Sequence, residues 1–146
     1  MKIAIGSDHA GFHLKEHLKI YLENKGLIIL DQGVETPERC DYPDFATKVC
    51  RAIQKEEVDL GILVCGTGIG MSMTANKHRG IRAAVVTDPF CASATRGHND
   101  CNVLCLGERV VGAGLAQAIV DAWIEAEFEG GHHQIRVDKM MGFERQ

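Results

Sequence analysis

LGILVCGTGIGMS, residues 60–72, is the stretch that decides the fold. GILVC (61–65) is apolar throughout, as a strand covered on both faces requires, and it runs without a spacer into a glycine cluster. A central strand that turns sharply into a helix is the basic joint of a parallel α/β sheet. The same joint leaves two readings of Cys65: a small buried apolar residue that ends a strand, or a nucleophile or base held over a pocket.

Outward from this joint, short β-branched runs alternate with longer amphipathic stretches, and Gly, Asp, Asn or Pro marks each join. KIAIG (2–6) and LIILD (27–31) are the predicted first two strands; IRAAVV (81–86) and NVLCLG (102–107) are the fourth and fifth. Helices are predicted over 11–25, 43–56, 69–77, 89–97 and 112–127. In the first of them Phe12, Leu14, Leu18 and Tyr21 face the core, and Gly26 stops the helix. After Gly130 and Gly131, the segment HHQIRVDKMMGFERQ is too short and too polar to form its own core. The pattern predicts a single Rossmann-like, doubly wound α/β domain over residues 1–146 with about five parallel strands. A C-terminal helical extension over 131–146 is suited to packing on a partner subunit.

Composition narrows the function. The net charge is -4 with Lys and Arg scattered, which excludes the footprint of a general nucleic-acid binder. No apolar run approaches the ~20 residues of a membrane span, and MKIAIGSDHAG turns polar too early for a signal peptide, so no membrane partner and a cytoplasmic location are expected. The six cysteines contain no CxxC pair and are expected to be reduced thiols.

In a doubly wound sheet, ligands bind beyond the carboxyl ends of the strands. The first strand ends in Gly6, Ser7, Asp8 and His9, and the third in Cys65, Gly66, Thr67, Gly68, Ile69 and Gly70. GTGIG lacks the GxGxxG spacing and no GK[ST] follows, so nucleotide-binding readings weaken. Its glycines either turn the chain tightly or also aim backbone N–H groups at an anion or a developing oxyanion. Those amides are expected to lower the pKa of Cys65 and favour a thiolate. Asp8 is a candidate carboxylate, while an Asp before a helix also serves as an N-cap.

TRGHND (95–100) is predicted as a loop before the fifth strand, where His98 and Asn99 have no packing need and Asp100 suits a turn. Arg109 follows the fifth strand, and Arg136 lies in the terminal segment near His132 and His133; arginines at a pocket rim suit a phosphate. His9, His13 and His17 are spaced four apart, as are Cys101 and Cys105, but neither set has the carboxylate or CxxC company of a zinc site. No metal and no cofactor is expected.

Five separated motifs occur in order: GSDHAG, DYPDFA, CGTGIGMSMTANK, TRGHNDCNVLCLGERVVG and EGGHHQIRV. Together they resemble the RpiB family of sugar-phosphate isomerases, with its relatives LacA and LacB, across essentially the whole chain. The resemblance implies a metal-free aldose–ketose isomerisation between ribose 5-phosphate and ribulose 5-phosphate through an enediolate. It implies that Cys65 is the base, that Gly66 to Gly70 with Thr67 form the anion hole, and that His98 opens the sugar ring. Asp8, His9, Tyr42 and Asn99 match substrate contacts, and His9, Arg109, His132 and Arg136 match phosphate contacts. Several of these come from a second subunit in the family, which implies a homodimer or a dimer of dimers.

Two features separate this chain from its relatives. His132 stands where the ribose isomerases usually carry arginine, and Ile69 lies inside the turn where some members place a glutamate base. Retention of Cys65 favours the thiolate version. The His132 position keeps open a preference for a hexose 6-phosphate, of allose or galactose, and a non-catalytic sugar-phosphate-binding module is the alternative from outside the enzymes.

Overall fold

Five strands pair in parallel: β1 (Lys2–Ser7), β2 (Ile28–Asp31), β3 (Leu60–Cys65), β4 (Ala83–Val85) and β5 (Val103–Gly107). Their order in the sheet is β2-β1-β3-β5-β4 in the computed structural model, which describes residues 1–145. Six helices connect and follow them: α1 (Phe12–Asn24), α2 (Tyr42–Gln54), α3 (Ile69–Ala75), α4 (Pro89–Asn99), α5 (Ala113–Glu125) and α6 (His132–Gly142). No helix among the described residues is long and apolar enough to cross a membrane. The expected Rossmann-like α/β architecture is present, and the chain reverses its direction across the sheet between β1 and β3.

Alternation along the strands divides the interior into two layers. Ile3, Ile5, Ile62, Val64, Leu104 and Leu106 meet Leu14, Leu18 and Leu22 of α1 and Ile119, Val120 and Trp123 of α5. On the other face Ala4, Leu63, Cys65, Val103 and Cys105 meet Ala46, Val49 and Cys50 of α2 and Met71 and Ala75 of α3. Every residue of β3 is buried, so its run GILVC is the spine between both layers. Each fully buried large aliphatic side chain contributes about 1.5–3 kcal/mol relative to exposure. The sheet is therefore held chiefly by its two apolar faces.

Three local differences from the sequence reading have physical causes. In α1, Phe12 and Tyr21 are only half-buried, whereas Lys15 and Leu22 occupy buried positions. Lys15 is tolerated there because its ammonium meets Asp31 at 3.0 Å and Glu16 at 2.7 Å, and donates to the Val34 carbonyl at 2.9 Å. The fourth strand is shorter than residues 81–86 because the Asn102 side chain takes the Arg82 N–H at 2.8 Å, replacing a ladder bond. The third difference concerns α4, which does not stop at residue 97. Asp100 adopts the left-handed conformation (φ 48°) and donates its N–H to Thr95, so the helix runs on through Asn99.

Asp31 closes the network around Lys15. Burial pushes its carboxyl up, but hydrogen bonds from Lys19, the Gly33 N–H and Lys15 outweigh this and hold it below the usual carboxylate range. A carboxyl lowered by folding adds stability above its unfolded pKa of about 3.9, and that stability is lost as pH falls toward the folded value. Asp31→Asn leaves the Lys15 charge buried without its main partner, so it is expected to cost about 3 kcal/mol at pH 7. Chemical denaturation at pH 7 and pH 3 checks both points: the gap between parent and variant is expected to narrow at the lower pH.

Candidate active site

The carboxyl ends of β1 and β3 flank the point where the sheet order reverses, and the sequence places polar and glycine residues there. Asp8 caps a short 3-10 turn (His9–Gly11), and its Oδ1 accepts the N–H groups of Ala10 at 2.9 Å and Gly11 at 3.1 Å. The capping role is thus real, and it also fixes a nearly buried carboxylate at the rim. His9 follows, with Nδ1 facing the backbone of Cys40, whose N–H lies at 3.3 Å.

Cys65 ends β3 with 5% of its surface exposed. Its Sγ accepts the N–H of Gly68 at 3.1 Å. That bond exists because Gly68 turns at φ +79°, against the backbone of Leu106, and becomes the N-cap of α3. Negative charge on this sulfur would therefore meet a fixed donor. Thr67 is exposed at the tip of the turn and its Oγ1 accepts the Ile69 N–H at 3.3 Å.

Neighbouring elements complete the rim. Tyr42, the first residue of α2, lays its ring so close to Gly70 that a methyl there would stand 2.8 Å from ring carbons. The Arg109 guanidinium covers Gly66, whose carbonyl accepts the Arg109 N–H at 3.1 Å. Ile69 is half-exposed above the turn. Asp8, His9, Tyr42, Gly66 to Gly70, Cys65 and Arg109 are thus gathered at one rim of one chain.

His98, Asn99, His132 and Arg136 are elsewhere. His98 and Asn99 lie in the last turn of α4, not on a loop. A helix that joins two parallel strands runs back from the carboxyl end of one to the amino end of the next, so the end of α4 lies at the amino ends of the strands, the opposite end of the sheet from Cys65. Register gives the scale: Gly107 pairs beside Cys65 while β5 begins at Val103, about 13 Å away, and His98 precedes that start. α5 makes the same return, and the Glu129 N–H donates to the Gly97 carbonyl at 3.0 Å. His132 and Arg136 on α6 therefore share this far end with His98. The Asn99 side also lines a cavity of about 960 Å³ there with Arg82, Thr95 and Met140.

The chain matches the family described as Ribose/Galactose Isomerase over residues 3–140. It belongs to that family. Over 144 residues it is 50% identical to ribose-5-phosphate isomerase B of Escherichia coli, covering 99% of this chain and 97% of that protein. The structure superposes on ribose-5-phosphate isomerase B of Clostridium thermocellum with a TM-score of 0.98 at 51% identity, covering 99% and 98% of the two chains. A third relative, ribose-5-phosphate isomerase B from Mycoplasma genitalium, solved with bound ribulose-5-phosphate, gives a TM-score of 0.95 at 42% identity over 99% and 97% of the chains.

In this ribose/galactose isomerase, burial acts on four of the thiols. It pushes Cys50 up to about 12, and it raises Cys40, Cys101 and Cys105 as well. The exposed Cys91 is held up by the Asp88 carboxylate beside it. Two residues at the far end carry geometry that the sequence reading did not use. Glu129 Oε1 lies 3.5 Å from His98 Nε2, and His133 stacks on His98 with ring centroids 4.3 Å apart. Their signal was the spacing Glu129-x3-His133, hidden because Gly130 and Gly131 interrupt every helical pattern across it.

Gly68→Ala tests whether the turn matters to chemistry. An alanine there is strained at φ +79° and its Cβ would stand 3.0 Å from the Leu106 backbone, so the N–H is expected to leave Cys65. Isomerase turnover is expected to fall about 100-fold, the scale of one lost oxyanion-type donor. Thermal unfolding measured alongside is expected to show a folded variant.

Proposed function

We propose that this protein interconverts ribose 5-phosphate and ribulose 5-phosphate, with Cys65 as the base, acting in the cytoplasm as a homodimer. The observation that carries the chemistry is the Gly68 N–H aimed at Cys65 Sγ at the mouth of the β1–β3 crevice. With the aldose open, the thiolate removes the C2 proton, the electron pair forms the C1–C2 double bond, and charge collects on O1. The thiol returns the proton to C1 and becomes thiolate again, while the proton of the C2 hydroxyl passes to O1, which gives the ketose. Backbone donors of Gly66 to Gly70 with Thr67 stabilise the enediolate oxygens. The preceding ring opening falls to His98, by proton exchange with the ring oxygen and the anomeric hydroxyl. Asp8, Tyr42 and Asn99 hold sugar hydroxyls, and His9, Arg109, His132 and Arg136 grip the phosphate.

These residues cannot act together within one chain, because His98 and Cys65 stand at opposite ends of the sheet. A two-fold dimer answers this by bringing the rim of one copy against the far end of the other, so that each site draws on both. Exposed apolar side chains at both places support such an interface: Ile69 and Met73 beside the glycine turn, and Ile135 and Met140 on α6. The 131–146 segment then contributes to the neighbouring site. α6 packs on α4 of its own chain through an otherwise exposed surface in which Val137 is the buried residue, so its outer face is free for a partner. The domain is one unit throughout, with no metal or cofactor in the reaction.

Hexose 6-phosphates are the second reading, supported by His132 in place of arginine at the phosphate end. A tenfold or greater preference for allose 6-phosphate over ribose 5-phosphate would establish it.

Mixing two inactive variants tests both the residues and the shared site. Cys65→Ala is expected to lower kcat by about 10²–10⁴-fold, and His98→Asn to impair the closed-ring sugar far more than an open-chain analogue. Unfolded together and refolded as a mixture, random pairing makes half the dimers mixed, and each mixed dimer regains one intact site of two. Recovery of about a quarter of parental activity is expected. No recovery, with both variants folded and dimeric, would place each site within one chain.

A further inference from the structure

We propose that His98, Glu129 and His133 form a transition-metal site, suited to Zn²⁺, and that filling it switches the isomerase off by withdrawing His98 from the sugar. The three side chains come from three places in the chain: the last turn of α4, the loop after α5 and the first turn of α6. Their ligand atoms all lie within 4.8 Å of one another. Glu129 Oε1 is 3.5 Å from His98 Nε2, and Glu129 Oε2 is 3.3 Å from His133 Nε2. Ligands about 2.0–2.2 Å from a tetrahedral metal stand about 3.3–3.5 Å from each other, and the two histidine–carboxylate contacts have this spacing.

These contacts are longer than a good hydrogen bond, and they leave the three side chains close enough to share one ion once the imidazoles turn. The backbone holds the three residues together. Glu129 is tied to the end of α4 by its N–H to Gly97, and Gly130 and Gly131, both at positive φ, reverse the chain so that Glu129 and His133 meet on one side. His98 and His133 are stacked with only 4° between their planes. Because an imidazole lone pair lies in the ring plane, the rings must rotate apart to share one ion. Half-exposed His98 has the freedom to do so. Two imidazoles and one carboxylate match the donor preference of Zn²⁺ and leave a fourth position for water.

The inhibitory consequence rests on the assignment of ring opening to His98, whereas the binding itself does not. A neutral imidazole engaged with a metal has no lone pair left to take a proton.

Zn²⁺ titration of the intact, chelator-treated protein tests the two parts separately. Equilibrium dialysis with metal analysis is expected to find one saturable Zn²⁺ per chain, kept in Cys65→Ser and weakened about tenfold or more in Glu129→Ala and His133→Ala. Turnover of ribose 5-phosphate is expected to fall as the site fills and to return on adding chelator. Glu129→Ala is expected to keep parental turnover without metal and to need about tenfold more Zn²⁺ for the same inhibition. Absence of saturable binding, binding unchanged in Glu129→Ala, or binding lost in Cys65→Ser overturns the site. Stoichiometric binding with full turnover overturns the inhibition and the role of His98, while the metal site stands.

Discussion

Parallel pairing of β3 with β1 on one side and β5 on the other is the constraint on which the rest of this structure depends. Parallel strands give the sheet two unlike ends, and every connecting helix must return from one to the other. Because β3 is buried on both faces, it cannot shift or slip without exposing one of the two apolar layers. Its last residue, Cys65, is thereby fixed beside the ends of β1 and β5, and the glycine turn that follows has only one place to go.

The turn shows how packing becomes chemistry. Gly68 lies against Leu106 of β5, so strand pairing sets its conformation, and that conformation aims its N–H at the Cys65 sulfur. Tyr42 and Arg109 then cover Gly70 and Gly66, closing the rim from α2 and from the end of β5. The rim is thus assembled from strand ends and helix starts, with few free loop residues. The same constraint works against the far end: the return of α4 carries His98 and Asn99 away from Cys65, and α5 and α6 bring His132, His133 and Arg136 to join them.

Much of the fold was legible in residue pattern. An apolar run such as GILVC, alternation of β-branched and amphipathic segments, and glycine at the joins specify a parallel sheet because burial and turn geometry act locally. The misplaced details have a common origin in contacts distant along the chain. Lys15 reads as a surface residue until Asp31, sixteen positions on, gives its charge a partner. Residues 95–100 read as a loop because Asp100 caps α4 from a left-handed conformation that composition does not announce. Asn102 trims β4 from across the sheet.

For the site, the sequence by itself determined which residue types stand at the strand ends, and its five ordered motifs marked the chain's family. Only the tertiary structure decided how those residues are divided. Asp8, His9, Tyr42, Cys65 to Gly70 and Arg109 meet at one rim, while His98, Asn99, His132 and Arg136 meet at the other end of the sheet. No string reveals that division, because it follows from the direction in which helices cross between parallel strands, and direction in space is a property of the folded chain alone.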